Sequence, residues 1–223
     1  MGTNEIRVYP GKFPQQEATR FVDKLRVPGI SSMSFPSQSQ DAVKIIFTSF
    51  CPPDKNKPAR CGLHEYPSKT PAAASASFPA LLSKSLFQAE EMAVHWSPKG
   101  DAALLALQTA VDTSGKSYYG STTLYLMSSQ QTDAIAVPLP QEGPVLDVAW
   151  MPNAAKPPSF AVVAGRMPSM ASLHNGNDGK ATFLFGNAHR NTISWAPHGR
   201  FVCLAGFGNL AGAVTFWDSK YIS

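Results

Sequence analysis

Apolar and polar residues alternate in short runs along much of the chain, with the two-residue period of a strand that buries one face. CGLHEYPS (61–68), TTLYLMSS (122–129), ASLHNGND (171–178) and GAVTFWDS (212–219) all carry it. Between them lie unbroken apolar runs, LLAL (104–107) and FVCLAG (201–206), which predict strands covered on both faces. The 16 glycines and 19 prolines break the pattern every few residues, which favours tight turns over long helices.

The runs follow a recurring aromatic–proline unit. It reads HWSPKGDAALLAL at 95–107, AWMPNAAKPPSFAVVAG at 149–165, SWAPHGRFVCLAG at 194–206 and, more degenerately, SFPSQSQDAVKIIF at 34–47. The anchors Phe35, Trp96, Trp150 and Trp195 lie 61, 54 and 45 residues apart. Propeller repeats of the WD40 type run about 40–45 residues, and insertions lengthen them. PSKTPAAASASFPA (67–80) and DTSGKS (112–117) are the segments that would stretch the first two spacings. Trp217-Asp218 is the dipeptide that closes many such repeats.

The expected fold is therefore all-β: a WD40-like β-propeller of about four blades, forming an incomplete arc of a larger ring. Blades are expected near 28–68, 84–129, 143–178 and 190–220, after a closing strand and connection at 1–27. An open β-sandwich is the competing architecture, but four copies of one unit favour repetition.

Charge adds little. The net charge is +4 and the isoelectric point about 9.0, a basic excess compatible with RNA without demanding it. Cys51, Cys61 and Cys203 are odd in number and lack C-x-x-C spacing, so reduced thiols are expected rather than a disulfide framework or zinc site. The N-terminal segment has no apolar signal core, and no run reaches the roughly 20 residues of a membrane helix. A soluble cytoplasmic protein with no membrane or DNA partner is the expectation.

Two motifs imitate nucleotide sites. AVDTSGKS (110–117) is a relaxed P-loop, but YYGSTTLYLM follows it, and β-branched and aromatic residues give no helix N-terminus to cradle phosphate. GFGNLAG (206–212) has one residue too many for a dinucleotide fingerprint and leads into AVTFWD. Hairpin tips explain both. His64, His95, His174, His189 and His198 show no metal-ligand spacing. No catalytic, cofactor or metal residue is assigned, and no cofactor is expected. Lys55, Lys57, Arg60, Lys116, Arg166 and Arg190 fall in expected loops and are the candidate contacts to RNA phosphates.

Three segments carry a family resemblance: SYYG (117–120), the GP-x-x-DV-x-W unit (143–150), and AGFGNL with the Trp217-Asp218 that follows. In order and spacing they resemble the propeller of eukaryotic translation initiation factor 2A. The resemblance implies a non-enzymatic cytosolic scaffold that engages the small ribosomal subunit, supports delivery of initiator tRNA and meets other initiation factors. The alternatives are the b subunit of translation initiation factor 3, a generic WD40 adaptor and a P-loop nucleotide-binding protein.

Overall fold

The computed structural model describes residues 4–9, 21–38, 44–55, 57–68, 77–86, 89–109, 122–152, 157–210 and 212–222. A hairpin of β1 (Glu5–Val8) and β2 (Asp23–Arg26) opens the chain. Four antiparallel sheets follow, each of consecutive strands. The first holds β3 (Ser32–Ser34), β4 (Ile45–Cys51), β5 (Ala59–Tyr66) and β6 (Leu82–Leu86). The second holds β7 (Glu91–Trp96), β8 (Ala102–Gln108), β9 (Thr122–Ser128) and β10 (Ile135–Ala136). The third holds β11 (Val145–Trp150), β12 (Ser159–Ala164), β13 (Ser169–Asn175) and β14 (Ala181–Ala188). The fourth has three described strands, β15 (Thr192–Trp195), β16 (Phe201–Ala205) and β17 (Val214–Asp218).

Consecutive meandering sheets stacked face to face are the blades of a propeller. The second strand of a blade shows why its sequence is apolar throughout. In β8, Ala103, Leu105 and Leu107 pack against Phe50, Cys61 and Leu63 of the first sheet. The intervening Ala102 and Leu104 pack against Val148, Trp150 and Phe160 of the third. Strand β12 repeats this, with Phe160 and Val162 turned to the second sheet and Ala161 and Val163 to the fourth. A pleated strand between two neighbours has no solvent side, so the alternation disappears. The hairpin joins the same stack through Leu25 and Val27, against Phe47, Cys51 and Phe78.

The repeat is in register. Trp96 lies opposite Ala103, and Ala103 opposite Met127. Trp150–Phe160–His174 and Trp195–Val202–Trp217 form the same cross-strand rows. In the first sheet Phe47 pairs with His64, and the Phe35 ring lies 5.6 Å from Phe47.

Two expectations are corrected. The blade boundary placed at residue 84 is displaced, because Lys84 and its neighbours pair with β5 and so close the first sheet. Fourth strands give a weak pattern, since LSKSL is mostly polar and the β10 pairing is only two residues long. Phe35 is half-exposed at 49%, unlike the buried Trp150, so it caps its row rather than filling an interface.

Candidate functional site

The anchor tryptophans fix how the blades are oriented. Trp96 Nε1 donates to Ser34 Oγ at 3.0 Å, Trp150 Nε1 to the His95 carbonyl at 2.8 Å, and Trp195 Nε1 to the Ala149 carbonyl at 3.3 Å. Each acceptor sits one residue before the anchor of the preceding sheet. The indoles thus tie the ends of β3, β7, β11 and β15 together in series, and these four inner strands run the same way. Asp147 adds a second tie, accepting from Val148 N at 2.8 Å and, across the blade boundary, from Ile193 N at 2.7 Å.

Parallel inner strands sort the described connecting residues onto two faces. One face carries 52–55, 57–58, 89–90, 137–144, 165–168, 189–191, 206–210 and 212–213. The other carries 35–38, 44, 67–68, 77–81, 97–101, 129–134, 151–152, 157–158, 176–180 and 196–200. Lys55, Lys57, Arg166 and Arg190 lie in connections of the first face; Arg60, expected in a loop, is instead the second residue of β5, paired with Cys51 at the end of that strand nearest this face. Lys116, with the whole P-loop-like segment 110–117, lies outside the described residues; β8 and β9 on either side of it pair antiparallel.

Four of these five cations are exposed. Lys55 and Lys57 ride a tight turn closed by Asp54 N to Lys57 O at 3.0 Å and Lys57 N to Asp54 O at 2.8 Å. Neither makes an ion pair among the described residues. Arg60 Nη2 donates to the Pro28 carbonyl at 3.0 Å. Arg166 tips the β12–β13 turn, whose backbone is held by Gln141 Nε2 on the Arg166 carbonyl at 3.1 Å. Arg190 differs from expectation. It is 6% exposed, its Nη1 has no partner, and burial lowers its pKa. The connection 189–191 is pinned by Ser169 Oγ on the Arg190 carbonyl at 2.6 Å, which carries the side chain inward. It is not a surface contact for phosphate.

Three cations on the opposite face meet carboxylates, and the exposed Lys99 there makes no ion pair among the described residues. Lys44 meets Glu65 at 3.7 Å, Lys180 meets Asp178 at 3.9 Å and Arg200 meets Asp218 at 3.2 Å.

GFGNLAG is a clamp rather than a phosphate loop. Asn191 receives Phe207 N on Oδ1 at 3.0 Å and donates Nδ2 to the Phe207 carbonyl at 3.1 Å. Gly206 lies so close to the His189 carbonyl that a Cβ would collide with it.

Two histidines that sequence spacing left unassigned form matching buried networks. His64 Nδ1 lies 3.0 Å from the Pro79 carbonyl and Nε2 lies 2.8 Å from Ser49 Oγ. His174 repeats this with the Gly179 carbonyl at 2.9 Å and Ser172 Oγ at 2.8 Å. A carbonyl only accepts, so Nδ1 carries the proton in both and Nε2 accepts from serine. Each ring stacks on the phenylalanine of its row, Phe47 at 4.9 Å and Phe160 at 5.2 Å. A buried serine–histidine pair with a carbonyl as third member lacks the carboxylate that would stabilise an imidazolium. Among the described residues no group of three His, Cys, Asp or Glu could hold a metal, and no helix is long and apolar enough to cross a membrane.

Burial lowers the pKa of His64, His95 and His174, partly opposed at His95 by Asp147. Their folded values lie below 6.5. The unfolded chain therefore binds more protons as pH falls through that value, and stability drops with it. The urea midpoint is expected to be lower at pH 5.5 than at pH 7.5. An unchanged midpoint would contradict the buried, neutral assignment.

Residues 84–223 match the family described as Eukaryotic translation initiation factor eIF2A. The initiation factor 2A of Drosophila melanogaster is 40% identical over 169 residues, 76% of this chain and 25% of that protein. That of Dictyostelium discoideum is 34% identical over 217 residues, 97% of this chain and 32% of that protein. The chain belongs to the eukaryotic translation initiation factor 2A family. It spans about a quarter to a third of the length of these relatives. A crystal structure of a eukaryotic initiation factor superposes with a TM-score of 0.74 at 27% identity, over all of this chain and 48% of that one. The b subunit of initiation factor 3 from Xenopus laevis is more distant, 29% identical over 203 residues, 88% of this chain and 26% of that protein. Of the three segments expected to mark the initiation factor 2A family, GP-x-x-DV-x-W carries the Asp147 tie and AGFGNL meets the Asn191 clamp, while SYYG lies outside the described residues.

Proposed function

We propose that this chain acts in translation initiation as a non-enzymatic cytoplasmic scaffold, docking on the small ribosomal subunit and supporting delivery of initiator tRNA. The face bearing Lys55, Lys57, Arg60 and Arg166 meets rRNA. One observation carries the reading: the indole ties align the inner strands so that segments distant in sequence place the exposed Lys55, Lys57, Arg60 and Arg166 on a single face. Lysines in a turn offer point charges to phosphate without reading bases, which suits a folded rRNA surface. Family membership supports the process, and other initiation factors are the further partners it suggests. Likeness to the b subunit of initiation factor 3 supports a second reading, in which this face meets a protein of the initiation machinery instead of RNA. Co-sedimentation with purified small subunits across a salt series separates them. RNA docking requires binding that weakens as salt rises and weakens further in the Lys55→Glu/Lys57→Glu protein. Salt-independent binding, or none, would refute it.

A further inference from the structure

Two glutamines make the same kind of tie between the second and third sheets, one on each face. On the second face Gln131, in the β9–β10 connection, donates Nε2 to the Asn177 carbonyl in the β13–β14 turn at 2.8 Å. On the first face Gln141, in the connection before β11, donates Nε2 to the Arg166 carbonyl at 3.1 Å and to the Pro168 carbonyl at 3.4 Å. In both side chains Oε1 is buried and has no hydrogen-bond partner among the described residues. A buried acceptor without a donor offsets much of what the N–H bonds contribute, so neither tie adds much net stability.

The ties differ in what they hold. The turn held by Gln131 carries Lys180, which Asp178 already meets at 3.9 Å. The turn held by Gln141 carries Arg166, exposed on the first face. Residues 141–144 grip that turn at three points. Gln141 takes the two carbonyls, and Gly165 N donates to the Pro144 carbonyl at 2.9 Å. Gly143 lies backbone to backbone against the turn: a Cβ there would stand 2.8 Å from Gly165 Cα and 3.0 Å from Arg166 N. Its φ of +138° also disfavours any other residue. The chain on both sides of Arg166 is thereby fixed from a neighbouring connection that carries no cation of its own. A long side chain projecting from a fixed backbone has less freedom to lose when it meets a ligand.

We propose that Gln141 is a positioning residue for the contact of Arg166 with RNA phosphate. It touches no RNA itself; it holds the β12–β13 turn in the conformation that presents the guanidinium. The inference rests on the reading that the first face meets rRNA, and it adds a residue that no count of charges would find. Because Gln141 is neutral, its effect can be told from that of net charge.

Co-sedimentation of the 223-residue protein with purified small subunits across a salt series tests it. Gln141→Ala leaves the charge unchanged, yet should bind about five- to tenfold more weakly near 0.1 M salt. The slope of log affinity against log salt concentration should become shallower by about one, the share of a single phosphate contact. Gln131→Ala removes the matching tie on the second face. It should lower the urea midpoint by a similar amount and leave affinity and slope at their wild-type values. Adding Gln141→Ala to Arg166→Ala should weaken binding no further, since both changes remove one contact. Wild-type affinity and slope in Gln141→Ala, an equal loss in Gln131→Ala, or a further loss on top of Arg166→Ala would each overturn the proposal. If wild-type binding still falls with salt and with Lys55→Glu/Lys57→Glu, those results count against Gln141 alone. Wild-type binding that ignores salt overturns the RNA reading and this inference with it.

Discussion

Trp150→Ala is expected to cost about 3–5 kcal/mol, the range for emptying a buried tryptophan site. Three things are lost together. The ring is 8% exposed and packs edge-on to Phe160 at 5.1 Å. It fills the space between the second and third sheets, among Leu104, Leu126 and Val148. Its N–H also satisfies the His95 carbonyl. Domains are stable by about 5–15 kcal/mol, so the loss removes a large share of the total. Trp150→Phe separates the contributions: most of the packing stays and one hydrogen bond goes, for about 1–2 kcal/mol. Urea titration of the three proteins measures both. Equal destabilisation by alanine and phenylalanine would mean that the hydrogen bond, not packing, carries the interface.

Charge reversal at Lys55 and Lys57 is expected to reduce affinity for the small subunit roughly 10–100-fold near 0.1 M salt. Each phosphate neutralised contributes a little under one to the slope of log affinity against log salt concentration, so losing two should lower the slope by about two. The fold should not suffer, since both side chains are exposed and the turn is held by backbone bonds at Asp54. Lys99→Glu/Lys180→Glu on the opposite face is the matched control, with the same change of net charge. An equal loss in that control would mean that overall charge, rather than one face, drives binding.

Much of the architecture was legible in the sequence because one feature repeats with a physical reason. An aromatic residue at the end of each inner strand, then proline or a glycine turn, then an apolar strand, is what stacked blades require. Trp96, Trp150 and Trp195 made three of the four units plain. Phe35 was a weaker signal because it lacks the indole N–H that ties the others to the preceding blade. Outer strands were harder to see. Leu82–Leu86 buries only Leu82, and Ala181–Ala188 only Phe185, so their pattern is that of a solvated edge. The histidine rows were invisible for another reason: Phe47–His64 and Phe160–His174 meet across strands, and only the register reveals that they are the same position. The candidate face was half legible. Loop residues could be recognised as loop residues, yet which face a loop reaches depends on strand direction around the ring. Arg190 shows the limit. Its flanking residues look like a connection, and they are one, but Ser169, 21 residues earlier in the chain, pins that connection and the arginine is buried.

The central claim is that one face of the propeller meets the small ribosomal subunit and the other does not. Amine acylation of the protein, free and bound to purified small subunits, tests it directly when read at each lysine by mass spectrometry. Strong protection of Lys55 and Lys57 is expected in the complex, with Lys99 and Lys180 labelled as in the free protein. Protection of Lys99 and Lys180 while Lys55 and Lys57 stay reactive would contradict it.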